Sequence, residues 1–130
     1  MNAEELREGI VFRLAYADEH AQETQNTSPN MHFRIHGGVM LDPNDAISLW
    51  NRMVALPNGE QMRCHTPNYG IRLNFGDGGF YTAAICWECN NISISSSGDY
   101  SWQTFDGQSK EAQSLLSDIR EYVSDVEPAT

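Results

Sequence analysis

Basic residues are scarce in this chain. Eight Lys and Arg stand against 18 Asp and Glu, a formal net charge of −10. Nucleic acid and anionic membranes both need a positive surface opposite them, so the balance argues against either as a partner. It permits a basic protein partner, or mimicry of nucleic acid by a small acidic inhibitor, and solubility alone explains much of it. Long apolar runs are missing as well. No stretch approaches the roughly 18 apolar residues of a membrane span. The start, MNAEELREG, has neither the basic nor the apolar region of a secretory leader. The expectation is a soluble, cytoplasmic protein. Cysteine is sparse, at three residues. That odd count fits a reducing compartment better than a disulfide framework. No P-loop, GxSxG, HExxH or dinucleotide fingerprint is present, and the Ser, His and Asp residues show no triad spacing. The reading leans away from an enzyme.

What remains is concentrated in one stretch. Of 130 residues, 40% hydrophobic, the run from Arg63 to Ser95 holds all three cysteines and the clearest strand signals. Gly70 to Phe75 and Phe80 to Cys86 read as antiparallel strands. Asp77-Gly78 is a two-residue turn signal, because a type I′ turn needs positive φ at both central positions. Closing the chain there pairs Phe75 with Phe80, Leu73 with Thr82, Ile71 with Ala84 and Tyr69 with Cys86. Ile71, Leu73, Phe75, Phe80, Ala84 and Cys86 then share a buried face, with Thr82 among them, and Arg72, Asn74 and Tyr81 a wetter one.

Cys86 and Cys89 form a CxxC at the strand exit. Cys64 lies before Pro67 and is brought toward the same sheet end. Outer strands of three are about 10 Å apart, whereas a disulfide spans no more than about 7 Å between Cα atoms. A Cys64–Cys86 bond therefore requires a late-starting middle strand or inward curl. Cys64, Cys86 and Cys89 with His65 would supply the four soft or imidazole ligands of a structural zinc site. One CxxC is half of the usual double-knuckle pattern. Two other readings stand beside it: small buried hydrophobes, as free cysteines often are, and thiol redox chemistry at Cys86 and Cys89. A thioredoxin-like site fits less well, since that motif opens a helix and this one follows a strand and precedes Asn90-Asn91.

Cys64, Pro67, Gly70, Ile71, Arg72, Ile85, Cys86, Trp87, Cys89 and Asn90 together make a Cys-x-x-Pro followed by a short hairpin and Ile-Cys-aromatic-x-Cys-Asn. This resembles a widespread group of small bacterial proteins with no established activity. The similarity extends to Val11-Phe12-Arg13-Leu14, to Gly38-Val39-Met40-Leu41 and to the C-terminal helix. Members often carry a basic residue and a His after the Pro, where this chain has Asn68-Tyr69. The resemblance implies a shared fold and a cysteine cluster.

The flanking segments complete the outline. Ile10 to Tyr16 and Met31 to His36 read as strands, with Gly37-Gly38 as a break or bulge. Residues 18–30 are polar and aperiodic and read as a loop, with room for a binding role. His32 and His36 sit about 13 Å apart along a strand and do not chelate one metal. Asp42-Pro43 opens a helix over 43–55 with the stripe Ala46, Leu49, Trp50, Met53 and Val54. After the CxxC a hairpin with loop Ser97-Gly98-Asp99 sets Ile94 opposite Trp102. A two-residue turn would set Ile94 against Ser101 and waste the aromatic. Ser109 caps a helix over 109–123, with 126–130 as a frayed tail. The sum is a single α+β domain: a mostly antiparallel sheet of about five to seven strands with both helices on one face. The preferred function is a small acidic protein-interaction domain of inhibitor, immunity or adaptor type. A zinc-type domain and a CxxC redox protein are the alternatives. Neither the partner nor the oligomeric state is legible.

Overall fold

The computed structural model describes residues 3–17, 24–28, 31–60, 64, 66–96 and 99–126, with residues 3, 15–17, 24–28 and 31–34 described by backbone alone. A 3-10 turn at Ala3–Glu5 leads into β1 (Leu6–Ala17), β2 (Thr24–Ser28), β3 (Met31–Leu41), α1 (Pro43–Val54), β4 (Tyr69–Phe75), β5 (Phe80–Cys86), β6 (Asn91–Ser96), β7 (Asp99–Thr104) and α2 (Lys110–Tyr122). The seven strands form one sheet in the order β2-β3-β1-β4-β5-β6-β7. All pairings are antiparallel. The α+β class is as expected. The strand β2 inside the segment read as a loop is not. Its sequence, TQNTS, has no apolar period. An edge strand is held by backbone pairing, here to β3, and needs no buried side-chain face. Residues 18–23 and 29–30 of that segment lie outside the described residues.

Both helices start where their caps put them. The Asn44 N–H donates to Asp42 Oδ1 at 2.9 Å, and the Ala112 N–H to Ser109 Oγ at 3.2 Å. Ala46, Leu49, Trp50 and Met53 of α1, and Ala112, Leu115, Leu116 and Ile119 of α2, are buried in one core with Val11, Ile71, Leu73, Ala83 and Ile85 of the sheet. Each large apolar side chain so buried contributes about 1.5–3 kcal/mol. The C-terminal end is tied down: Arg13 Nε donates to the Val126 carbonyl at 2.9 Å. The part of the expected tail beyond Val126 is outside the described residues.

Two hairpin registers differ from the sequence reading by one residue. In the first, the Phe75 N–H donates to the Gly79 carbonyl at 2.9 Å, so the loop is Gly76-Asp77-Gly78. Only Gly78 in that loop has positive φ, at 87°, and the Asp77 carboxylate accepts the Gly79 N–H at 2.8 Å. This three-residue loop with a left-handed third position needs one glycine conformation where type I′ needs two. Every cross-strand pair moves: Leu73 faces Tyr81, Ile71 faces Ala83 and Tyr69 faces Ile85. Because side chains alternate, β5 turns Tyr81, Ala83 and Ile85 to the helices, while Thr82, Ala84 and Cys86 face away. In the second hairpin Ser96 pairs with Asp99 and Ile94 with Ser101. The expected Ile94–Trp102 pair is replaced by Ser93–Trp102. Gln103 lies on the helix side, and its Nε2 donates to the Met53 and Val54 carbonyls at 3.2 and 3.3 Å, capping the end of α1. Trp102 remains 44% exposed against Tyr100, ring centroids 5.9 Å apart.

The face away from the helices is also buried, contrary to the expected wet side. Phe12, Leu14 and Ala84 form a second cluster there, and Thr82, Asn91 and Ser93 are buried too. The sheet curls over them. In a flat sheet β2 and β6 would stand about 24 Å apart, at about 4.8 Å per strand, yet β2 meets β6. Small residues line the inside of the curl. At Gly70 a Cβ would fall on the Phe12 ring and the Ala83 carbonyl, so glycine lets that ring lie across the strand.

Candidate functional site

The three sulfurs meet at one end of the sheet. Cys86 is the last residue of β5, and the chain then turns through residues 87–90 before entering β6. The turn is fixed at both ends. Trp87 enters the core, packs edge-on to Tyr69 and Phe105 at 6.1 and 5.9 Å, and its Nε1 donates to the Ala112 carbonyl at 3.0 Å. Asn90 holds a left-handed backbone, φ 55°. Its Nδ2 donates to the Glu60 carbonyl and its Oδ1 accepts the Gly107 N–H, both at 3.1 Å. Cys89 is carried between these anchors and is fully buried.

Cys64 comes from the opposite direction, before β4 begins at Tyr69. The Asn91 side chain donates to the Cys64 carbonyl at 2.6 Å. Cys64 and Cys89 are joined in a disulfide with Cα atoms 5.6 Å apart. The partner is therefore Cys89, not the Cys86 weighed from strand spacing. Cys86 is pinned at the end of β5, whereas Cys89 lies beyond the strand in the turn, where the chain has already left the sheet. The odd cysteine count, read as speaking against disulfides, resolves into one bond and one free thiol, Cys86, which is 1% exposed. The CxxC pair is not bonded to itself.

Cys86 sits directly against the bond. The Cys89 N–H points to Cys86 Sγ at 3.2 Å. Thr66 Oγ1 lies 3.7 Å from Cys86 Sγ and 3.8 Å from Cys89 Sγ, a shared hydroxyl between two sulfurs. Cys64 and Thr66 are exposed, so the site opens to solvent on that side and is closed on the Cys86 side. Of the residues read as zinc ligands, Cys64, Cys86 and Cys89 are brought together, and His65 is outside the described residues. Among the described residues, with Cys64 and Cys89 bonded to each other, no group of three His, Cys, Asp or Glu is set to hold a metal. Thr66 carries no signal in the sequence; Asn90 belongs to the cysteine pattern and Asn91 follows it, with no role at the site expected of either. Asn90 carried a signal, since Asn is the side chain other than Gly that most readily takes positive φ.

A second feature lies between the helices. A groove of about 400 Å³ is lined by Asp45, Ser48, Leu49, Arg52, Asp118, Glu121 and Tyr122. Arg52 bridges it, 2.7 Å from the Asp118 carboxylate and with a 3.2 Å bond to Ser114 Oγ. Burial, then the Asp45 and Asp118 charges, push the Tyr122 phenol above its usual range, with Arg52 pulling the other way. Among the described residues no helix is long and apolar enough to cross a membrane. Comparison with protein-family models, curated proteins and solved structures finds no match.

Proposed function

We propose that this chain is a redox-responsive thiol–disulfide domain, in which the Cys64–Cys89 bond opens and closes next to Cys86. The carrying observation is the exposed Cys64 bonded to a buried Cys89, with a third sulfur against the pair. Access decides the order of events. An external thiolate attacks Cys64 Sγ, a mixed disulfide forms there, and Cys89 leaves as the thiolate. A second external thiol releases the mixed disulfide, so the donor leaves oxidised and the chain gains two thiols. The cytoplasmic setting belongs to this proposal, since intracellular disulfides are commonly transient and sensing. So does the resemblance to the small bacterial proteins, whose pattern Cys64, Cys86 and Cys89 reproduce. Equilibration in graded thiol–disulfide buffers, followed by thiol counting after denaturation, tests it. Exposed bonds have potentials above about −300 mV, and a bond that no physiological thiol poise opens would overturn the reading.

The acidic interaction-domain reading draws on a separate observation, the carboxylate-lined groove of Asp45, Asp118 and Glu121, together with the net charge of −10. On this reading the partner is a basic protein, neither nucleic acid nor an anionic membrane, and the role is not enzymatic. Capture of basic partners should weaken steeply with salt. Recovery of none at low salt, or capture that Asp118→Asn with Glu121→Gln leaves intact, would count against it.

A further inference from the structure

We infer that the reduced form of the sulfur cluster is a zinc site built from Cys64, Cys86 and Cys89. The inference rests on the thiol–disulfide reading, because the bonded pair offers no thiolates. Reduction changes that. A thiol donor takes the bond to two thiols and is itself oxidised. Three sulfurs then stand at one point: Cys86 against the Cys89 backbone, Cys89 beside it across Thr66, and Cys64 within disulfide reach of Cys89. Zinc–sulfur bonds of about 2.3 Å place tetrahedral sulfurs about 3.8 Å apart. Reduction lets the Cys64 and Cys89 sulfurs part toward that spacing, with Cys86 Sγ held at the Cys89 N–H.

The surroundings direct hydrogen bonds at the sulfurs. Cys86 Sγ receives the Cys89 N–H at 3.2 Å. The Thr66 hydroxyl is in range of two sulfurs and has a proton to give. Asn90, left-handed at φ 55°, turns the chain just after the second cysteine of the CxxC, and Thr66 Oγ1 faces both of its sulfurs. A buried Cys86 thiolate without a cation would be costly. Zinc supplies the cation, and soft sulfur donors select it over magnesium or calcium. Binding releases three protons: three thiols and Zn²⁺ give a zinc tris-thiolate of charge −1. The fourth position falls to water. Disulfide and metal thus compete for the same sulfurs, and oxidation expels zinc.

The test titrates Co²⁺, as a spectroscopic stand-in for zinc, into the full chain before and after anaerobic reduction with a phosphine. Free thiols are counted on each sample. The oxidised chain should show one thiol and take up no cobalt. The reduced chain should show three thiols and bind one equivalent, with sulfur-to-cobalt charge transfer, tetrahedral d–d bands and displacement by Zn²⁺. Cys86→Ser leaves the disulfide pair intact and should weaken binding at least tenfold. Cys64→Ser, in the exposed segment, provides the same test if Cys86→Ser does not fold. Three thiols without cobalt binding would overturn the zinc site and leave the redox reading standing. Binding as tight in either serine variant as in the parent would also overturn it. Three thiols in the chain as purified would instead remove the redox reading, and cobalt uptake by that sample would still decide the metal question.

Discussion

Asn90 holds a left-handed backbone and two side-chain hydrogen bonds at once, and its carbonyl accepts the Phe105 N–H at 3.0 Å. It joins the cysteine turn to Glu60 and to Gly107 ahead of α2. Asn90→Ala loses both side-chain bonds and the polar side chain that makes positive φ tolerable to a residue with a Cβ, and should cost about 2 kcal/mol. Asn90→Gly keeps the conformation and should cost roughly half as much. Urea midpoints of the two variants separate backbone strain from bonding, and equal losses would show that φ does not matter. Tyr122 makes a prediction of a different kind. Its phenol is raised above 10.0 by burial first and then by Asp45 and Asp118. A raised folded value means that the folded state holds the proton more tightly than the unfolded one. The resulting stability is complete below pH 10 and lost as pH climbs through the folded value. Tyr122→Phe should therefore lose less stability than the parent as pH rises above 10, measured as denaturation midpoints across that rise.

At the scale of elements, alternation makes a single-residue register shift consequential. The three-residue loop Gly76–Gly78 decides that Tyr81, Ala83 and Ile85 meet the helices, and so sends Cys86 to the other side of the sheet. Trp87 follows Cys86 and therefore returns to the helix side, where it bonds to the Ala112 carbonyl in the first turn of α2. The cap of α2 lies beside that anchor. Ser109 Oγ accepts from the Ala112 N–H and donates to the Asp106 carbonyl at 2.7 Å. Ser109→Ala should cost about 1 kcal/mol, as cap losses do. Ser109→Thr, which keeps both the acceptor and the proton, should recover most of it. Thermal melts check both, and an unaffected alanine variant would remove the cap from the account of α2.

The whole molecule is a curled sheet with helices on its outer face and a second small core inside the curl. The disulfide links two segments 25 residues apart in sequence, closing the β4–β5 hairpin at its open end. Constraining a loop of that size is worth about 3 kcal/mol in the chain-entropy account. For a chain of this length, reduction should lower the melting temperature by about 10 °C. On the zinc proposal, added Zn²⁺ restores part of the loss in the reduced chain only, because a ligand that binds the folded form stabilises it by mass action. A melting temperature that reduction leaves unmoved would show that the loop is already ordered without the bond.

Much of this protein is local, and what is local was readable in the amino-acid order. The caps at Asp42 and Ser109, the stripes through Ala46–Met53 and Ala112–Ile119, and the strands around both hairpins follow from periodicity and turn chemistry, which act over a few residues. The gathering of Cys64, Cys86 and Cys89 was legible too, since a hairpin returns its two ends to one place. Three things were decided by the tertiary structure. Hairpin register turned on which glycine took positive φ, a choice among loops of similar cost. The strand β2 depends on the edge of β3, a partner that polar residues do not announce. The sulfur pairing turned on where the chain leaves the sheet: Cys89 swings out into the turn toward Cys64 while Cys86 stays pinned in β5. A difference of a few ångströms in space, between cysteines three positions apart, leaves no mark on the sequence.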